Sequence, residues 1–242
     1  MVASFFQTSK FDDRDQPLSY LFKRFFKDVL LKKPDTIQFI SGFEVSVAKL
    51  AKKIQGESPQ DIVDCLFMKL FDELESRQGT EVFTDQLEWE IEETFECSRG
   101  HSIDKLEQKM IITLNVTKSL ETSICEYLEE TEDYLQCARC SEDVEVTRKI
   151  KSLPRALLVF LQEEPQVQGS FPESLDLSRH MTVTGPSTMS LAGFVCSKES
   201  DSYFCVMRKG GKWLKFTPGK PIETILDVRK YKPILILYTK NE

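Results

Sequence analysis

Apolar residues in the first third of the chain recur at helical spacing. Leu18, Leu21, Phe22, Phe25, Phe26, Val29 and Leu30 advance in steps of three, four and one, which predicts one apolar stripe closed by Pro34. Phe43, Val47, Leu50, Ala51 and Ile54 repeat the pattern up to Gly56. A third helix starts at Ser58-Pro59-Gln60-Asp61: Ser58 can cap, Pro59 suits the first helical position, and Asp61 complements the positive end of the dipole. Ile62, Val63, Leu66, Phe67, Leu70, Phe71 and Leu74 carry it to about Ser76. Packing into a core accounts for all three stripes.

The pattern then changes. Leu87 to Phe95 alternates loosely through Leu87, Trp89 and Ile91 and reads as a strand whose acidic residues, Glu88 to Glu96, form a solvated face. Lys109 to Val116 and Ala156 to Leu161 are short β-rich runs, and between them Ser119 to Leu128 is helical, with Leu120, Ile124 and Leu128 on one face. Met189 to Cys196, Tyr203 to Met207, Lys212 to Phe216 and Pro233 to Tyr238 are strands separated by Gly, Pro and Ser. Helices first and strands later predict an α+β fold.

Composition narrows the function. The 242 residues carry 32 basic and 39 acidic side chains, a net charge of -7, so the chain has no general attraction to phosphate backbones and no direct nucleic-acid contact is expected. No stretch approaches the ~20 apolar residues of a membrane span. The opening Met1-Val-Ala-Ser-Phe-Phe-Gln turns charged by Lys10 and lacks a signal-peptide core. A cytoplasmic or nuclear location without membrane contact is expected, where seven cysteines are thiols or metal ligands. Histidine chemistry has only His101 and His180 to draw on.

Cys137-Ala138-Arg139-Cys140 is a pair able to bite one zinc ion from a tight turn, and Cys97 with His101 could complete a tetrahedron from a second hairpin. The pattern is incomplete, since Gly100 stands where a second cysteine would follow Cys97. Four ligands exist only if His101 serves; otherwise the three cysteines are packed thiols of a worn site.

Four segments in order resemble the ubiquitin-specific protease family. They are Ser58-Pro59-Gln60-Asp61 with its helix ending Leu70-Phe71-Asp72-Glu73-Leu74; Cys97 to His101 with Ser119-Leu120-Glu121 and Tyr134-Leu135-Gln136-Cys137-Ala138-Arg139-Cys140; Ile150 to Leu161 with its Leu153-Pro154; and Phe171-Pro172 with Leu175-Asp176-Leu177 through Tyr203 and Trp213-Leu214-Lys215-Phe216 to Ile234 to Tyr238. The resemblance covers roughly Pro17 to Tyr238. It implies one papain-like domain over residues 1–242, shortened at its amino-terminal part, with a helical thumb at about 17–80, zinc-ribbon fingers at about 87–150 and a β-rich palm at about 151–240.

By the same resemblance, the catalytic set is missing. The family's nucleophilic cysteine precedes the thumb helices, yet no cysteine precedes Cys65. The family's histidine falls on Ser202, which cannot accept a proton near neutral pH, and the acid that orients it falls on Thr217. Cys65, Cys196 and Cys205 read as packed thiols, Cys125 shares a short helix with Glu126, and His180 reads as a residue of a solvated turn. Gln60 and Asp61 occupy positions that hold the ubiquitin tail in relatives; Asp61 reads equally as a helix-start carboxylate. The expectation is an inactive deubiquitinase-like module that binds ubiquitin, a ubiquitin-like modifier or other proteins, with structural zinc as its cofactor. The alternative is an active isopeptidase using a non-standard nucleophile.

Overall fold

The computed structural model describes residues 69–70, 72–74, 84, 86–115, 119–129, 135–162, 171–182, 185, 187–198, 202–217 and 220–240, with the side chains of 197, 198 and 202 excepted. The chain divides into two compact units, Met1–Gln86 and Leu87–Glu242. In the first, Lys69, Leu70 and Asp72 to Leu74 are helical with Leu70 and Leu74 buried, as the third stripe predicts. The first two stripes, together with Gln60, Asp61 and Cys65, lie outside the described residues.

The second unit contains two sheets. The smaller is antiparallel, with β1 (Trp89–Cys97) between β2 (Ser102–Lys109) and β4 (Val144–Ser152). β1 buries Trp89, Ile91, Glu93 and Cys97, with Glu90, Glu92 and Thr94 half-buried between them. The acidic run is therefore not simply a solvated face. Glu93 points inward because β4 sets Arg148 directly opposite it, and the ion pair replaces the lost hydration of both charges.

The larger sheet has the order β10-β9-β8-β7-β11-β5-β3, and β6 adds to the side of β7. Its strands are β3 (Ile111–Leu114), β5 (Ala156–Leu161), β6 (Ser174–Asp176), β7 (Thr188–Lys198), β8 (Ser202–Lys209), β9 (Lys212–Phe216), β10 (Glu223–Ile225) and β11 (Leu235–Lys240). All pairings are antiparallel except β3 with β5. Parallel neighbours need a long crossover, and here it runs through a helix and the smaller sheet. β8 and β9 close through Gly210 and Gly211, whose φ values of 56° and 75° suit the two-residue hairpin turn that matches strand twist.

One face of this sheet carries the core: Leu157 and Val159 of β5, Ile236 and Tyr238 of β11, Phe194 and Cys196 of β7, and Val206 of β8. The helix α1 (Leu120–Glu129) joins the same core through Leu120, Ile124 and Leu128, one residue per turn. It begins at Ser119, whose Oγ accepts the Thr122 N–H at 3.1 Å, with Glu121 in the first turn complementing the dipole. Tyr127, two turns after Leu120 on the same side of the helix and packed against the core, stacks on Trp89 with ring centroids 6.4 Å apart and ties α1 to β1.

Candidate metal centre

β1 and β2 meet in a turn closed by the Gly100 N–H donating to the Cys97 carbonyl at 2.8 Å and the Cys97 N–H donating to the His101 carbonyl at 3.1 Å. Gly100 has φ 76°, a conformation that costs glycine nothing and that sets His101 beside Cys97. The second turn, Cys137 to Ser141, precedes β4. The N–H groups of Cys140 and Ser141 donate to the Cys137 carbonyl at 3.3 and 2.8 Å, and Ser141 takes φ 59°. Both turns curl the chain so that side chains three or four residues apart converge.

The two turns face each other. Cys97 Sγ lies 3.5 Å from His101 Nδ1 and 3.6 Å from Cys140 Sγ, and Cys137 Sγ lies 3.6 Å from His101 Nδ1. All four donor atoms fall within 4.8 Å of one another. A tetrahedral zinc with Zn–S near 2.3 Å and Zn–N near 2.05 Å needs S···S edges of about 3.8 Å and S···N edges of about 3.5 Å. The donor set, its number and its edges fit zinc. His101 supplies the fourth donor, since its Nδ1 lies beside the sulfurs of both turns. Three thiolates and one imidazole leave no open position, so the site is structural rather than catalytic.

The electrostatics of the cluster call for a cation. Burial opposes ionisation of Cys97, yet the backbone N–H groups of Arg99 and His101 hold its thiol below the usual range. The Arg139 N–H does the same for Cys137. At Cys140 the Glu142 N–H pulls downward, but burial and the sulfurs of Cys137 and Cys97 outweigh it and raise the thiol. Crowded sulfurs resist a third negative charge until a divalent ion neutralises them. Bound zinc would stitch the tip of the β1–β2 hairpin to the loop before β4, which share little apolar surface of their own.

The family profile of ubiquitin carboxyl-terminal hydrolases matches residues 2–220. The chain belongs to that family. Solved structures agree at the level of fold. The SAGA DUB module of Ubp8, Sgf11, Sus1 and Sgf73 bound to monoubiquitin aligns with a TM-score of 0.72 at 17% identity, covering 94% of this chain and 59% of that one. The same module bound to ubiquitin aldehyde aligns with a TM-score of 0.72 at 16% identity, covering 94% and 60%. A variant module with altered Ubp8 and shortened Sgf11 aligns with a TM-score of 0.73 at 17% identity, covering 94% and 60%. The chain thus spans about three-fifths of the length of the structures it matches. Comparison with curated proteins finds no match. Family and fold agree with the ubiquitin-specific protease resemblance in the sequence, and the Cys3His cluster corresponds to its zinc-ribbon fingers.

Of the remaining predicted positions, Ser202 and Thr217 lie at the same end of the β8–β9 pair, beyond the Cys205–Phe216 pairing. Ser202 opens β8 opposite Lys198 of β7. Thr217 follows β9, half-buried, and its carbonyl accepts the Lys220 N–H at 3.0 Å. Cys196 is buried and Cys205 half-buried on adjacent strands, packed as expected. His180 departs from expectation. It is half-buried at the end of the short turn Ser178–His180, and its Nε2 lies 3.1 Å from Cys125 Sγ on α1. The two residues are 55 positions apart, so no local spacing announces the pair.

Proposed function

We propose that this chain is a catalytically inactive member of its family, a module that binds ubiquitin or a ubiquitin-like protein and serves as a scaffold for other proteins. The observation that carries the reading is the placement of the two imidazoles. The 242 residues contain two histidines. His101 faces the thiols of the metal cluster, and His180 bonds Cys125 on α1. The position to which the resemblance assigns the general base holds Ser202, and the position of the orienting acid holds Thr217. A hydroxyl neither accepts a proton from a thiol near neutral pH nor becomes an imidazolium that stabilises a thiolate, so hydrolysis lacks its proton carrier there.

Binding needs no proton transfer. It needs a preformed surface, and the zinc-stapled smaller sheet together with the larger sheet supplies a rigid one. The structures to which this fold is similar are described as complexes with monoubiquitin and with ubiquitin aldehyde, in a module with three further proteins. By resemblance, Gln60 and Asp61 hold the ubiquitin tail, the carboxylate accepting hydrogen bonds from its backbone.

A second reading, an active isopeptidase, is favoured by the Cys125–His180 contact, which joins a thiol to an imidazole outside the metal cluster. One experiment separates the two. The zinc-loaded chain is titrated into isotope-labelled ubiquitin and, separately, incubated with ubiquitin bearing a carboxyl-terminal electrophile. Resonance shifts without a covalent adduct support the inactive binding module. An adduct mapped to Cys125 together with cleavage of a fluorogenic amide at the ubiquitin carboxyl terminus supports the isopeptidase, and the absence of both shifts and adduct overturns ubiquitin binding.

A further inference from the structure

Beneath the turn Ser178–His180 lies a pocket of about 340 Å³, lined by Glu121 and Cys125 of α1 and by Leu175, Asp176, Arg179 and His180 from the opposite side. Cys125 is half-buried and sits 3.1 Å from His180 Nε2. We propose that Cys125 is a modification site for small neutral α,β-unsaturated carbonyl compounds, with His180 taking the thiol proton as the adduct forms.

The arrangement supplies each requirement of that reaction. Burial foremost, then the carboxylates of Glu129 and Glu121, hold the Cys125 thiol above its usual range against the opposing pull of Arg179. The resting thiol is therefore protonated, free thiolate is scarce, and the S–H can donate to Nε2 when the imidazole carries its proton on Nδ1. Attack then depends on a base in contact with the proton, which His180 provides. The bond from Sγ to the β-carbon forms as the C=C π pair moves onto the carbonyl to give an enolate. The proton passes from Sγ to Nε2 and on to the α-carbon, restoring the neutral imidazole, and nothing is oxidised or reduced.

The pocket also selects. About 340 Å³ admits a small molecule. Its charged groups are Glu121 on α1, with Glu129 one turn beyond Cys125, against Asp176 and Arg179 on the facing segment. Carboxylates outnumber the single guanidinium, which disfavours anionic reagents. Among the other described cysteines, Cys97, Cys137 and Cys140 belong to the metal cluster, Cys196 is buried, and Cys205 is half-buried on β8 outside the pocket. This inference stands apart from ubiquitin binding, since the adduct needs no protein partner.

The test uses the full zinc-loaded chain with N-ethylmaleimide, following the adduct at Cys125 by peptide mass spectrometry, with Cys125→Ser to verify the assignment. At pH 7 the wild-type rate is expected to exceed that of His180→Gln by about tenfold. Between pH 7 and 8 the wild-type rate should rise less than about threefold, whereas a lone thiol climbs about tenfold per unit below its own titration. If His180→Gln does not fold, the wild-type slope decides. A variant rate equal to or above wild type, a tenfold wild-type slope, or no adduct at Cys125 while Cys205 is labelled would each overturn the proposal.

Discussion

Arg148 Nε lies 2.8 Å from Glu93 Oε1 across the β1–β4 register, with the two side chains only 9% and 7% exposed. Lys105 of β2 approaches the other carboxylate oxygen at 3.8 Å, so the carboxylate bridges all three strands of the smaller sheet. Arg148 also donates to the Tyr127 carbonyl at 3.3 Å and lies 5.8 Å from the centre of its ring, which links the sheet to α1. Removing one partner strands a buried charge. Glu93→Leu is expected to destabilise the fold by roughly 3–5 kcal/mol in denaturant unfolding, whereas Glu93→Leu with Arg148→Met should recover a substantial part of the loss. A double variant as unstable as the sum of the singles would refute the pairing.

Zinc closes a loop that runs from Cys97 to Cys140 and holds two turns with little core beneath them. Because ligands that converge only in the folded state convert binding energy into folding energy, on the order of 10 kcal/mol in small zinc modules, metal removal should act locally and strongly. Chelation or Cys140→Ser is expected to lower bound zinc well below one equivalent per chain. It should also abolish amide-exchange protection at the 97–101 and 137–144 turns while the β5–β11–β7 strands stay protected. Stoichiometric zinc in Cys140→Ser would contradict the ligand assignment. His101→Ala should behave like the cysteine variant, since the imidazole completes the tetrahedron.

How far the sequence reveals this molecule depends on whether a residue's partner is near in sequence. β5, β7, β9, β11 and α1 announce themselves because apolar periodicity is local: Leu157 and Val159 alternate, and Leu120, Ile124 and Leu128 repeat at one turn. β2 does not, because it is an edge strand exposed on both faces, with Ile103 and Leu106 at 69% and 43% exposure and no alternation to read. β4 is hidden for another reason. Its inward residues are Val146, Arg148 and Ile150, and a charged residue in the buried register breaks the pattern until Glu93 is placed opposite it. The Cys137–Cys140 pair is visible as a spacing, and His101 was readable as a fourth ligand by elimination. The Cys125–His180 contact was not, because it depends on α1 and the turn at Ser178 meeting through the fold.

Gly193 sits in β7 between β8 and β11, beside a bulge where Leu237 pairs with Gly193 but Tyr238 pairs with Leu191. A Cβ built there would lie 2.7 Å from the Val206 carbonyl oxygen and 3.3 Å from Met207 Cγ. Backbone in the middle of a sheet cannot yield as a flexible side chain can. Gly193→Ala is expected to cost about 1–3 kcal/mol, read as a lowered melting temperature without loss of bound zinc. Gly185→Ala, where a Cβ meets nothing within 4 Å, is the matched control and should be close to neutral.

Asp176 fixes the turn that carries His180. Its Oδ1 accepts the Ser178 N–H at 2.9 Å and the Ser187 hydroxyl at 3.2 Å. The Ser178 backbone N–H foremost, then hydrogen bonding from the Ser178 and Ser187 side chains, holds the carboxyl below its usual value of 3.8. A depressed folded-state pKa means that the carboxylate contributes stability in full above pH 3.8, and that the contribution fades as pH falls through the lower folded value. The Asp176 carboxyl resonance should therefore titrate with a midpoint below 3.8, and amide-exchange protection at Ser178 and His180 should decline over the same interval. Asp176→Asn keeps an acceptor but loses the charge. It should loosen the turn at neutral pH and remove the acid-dependent step, while a midpoint at or above 3.8 in wild type would show that the Ser178 contact does not hold the charged form.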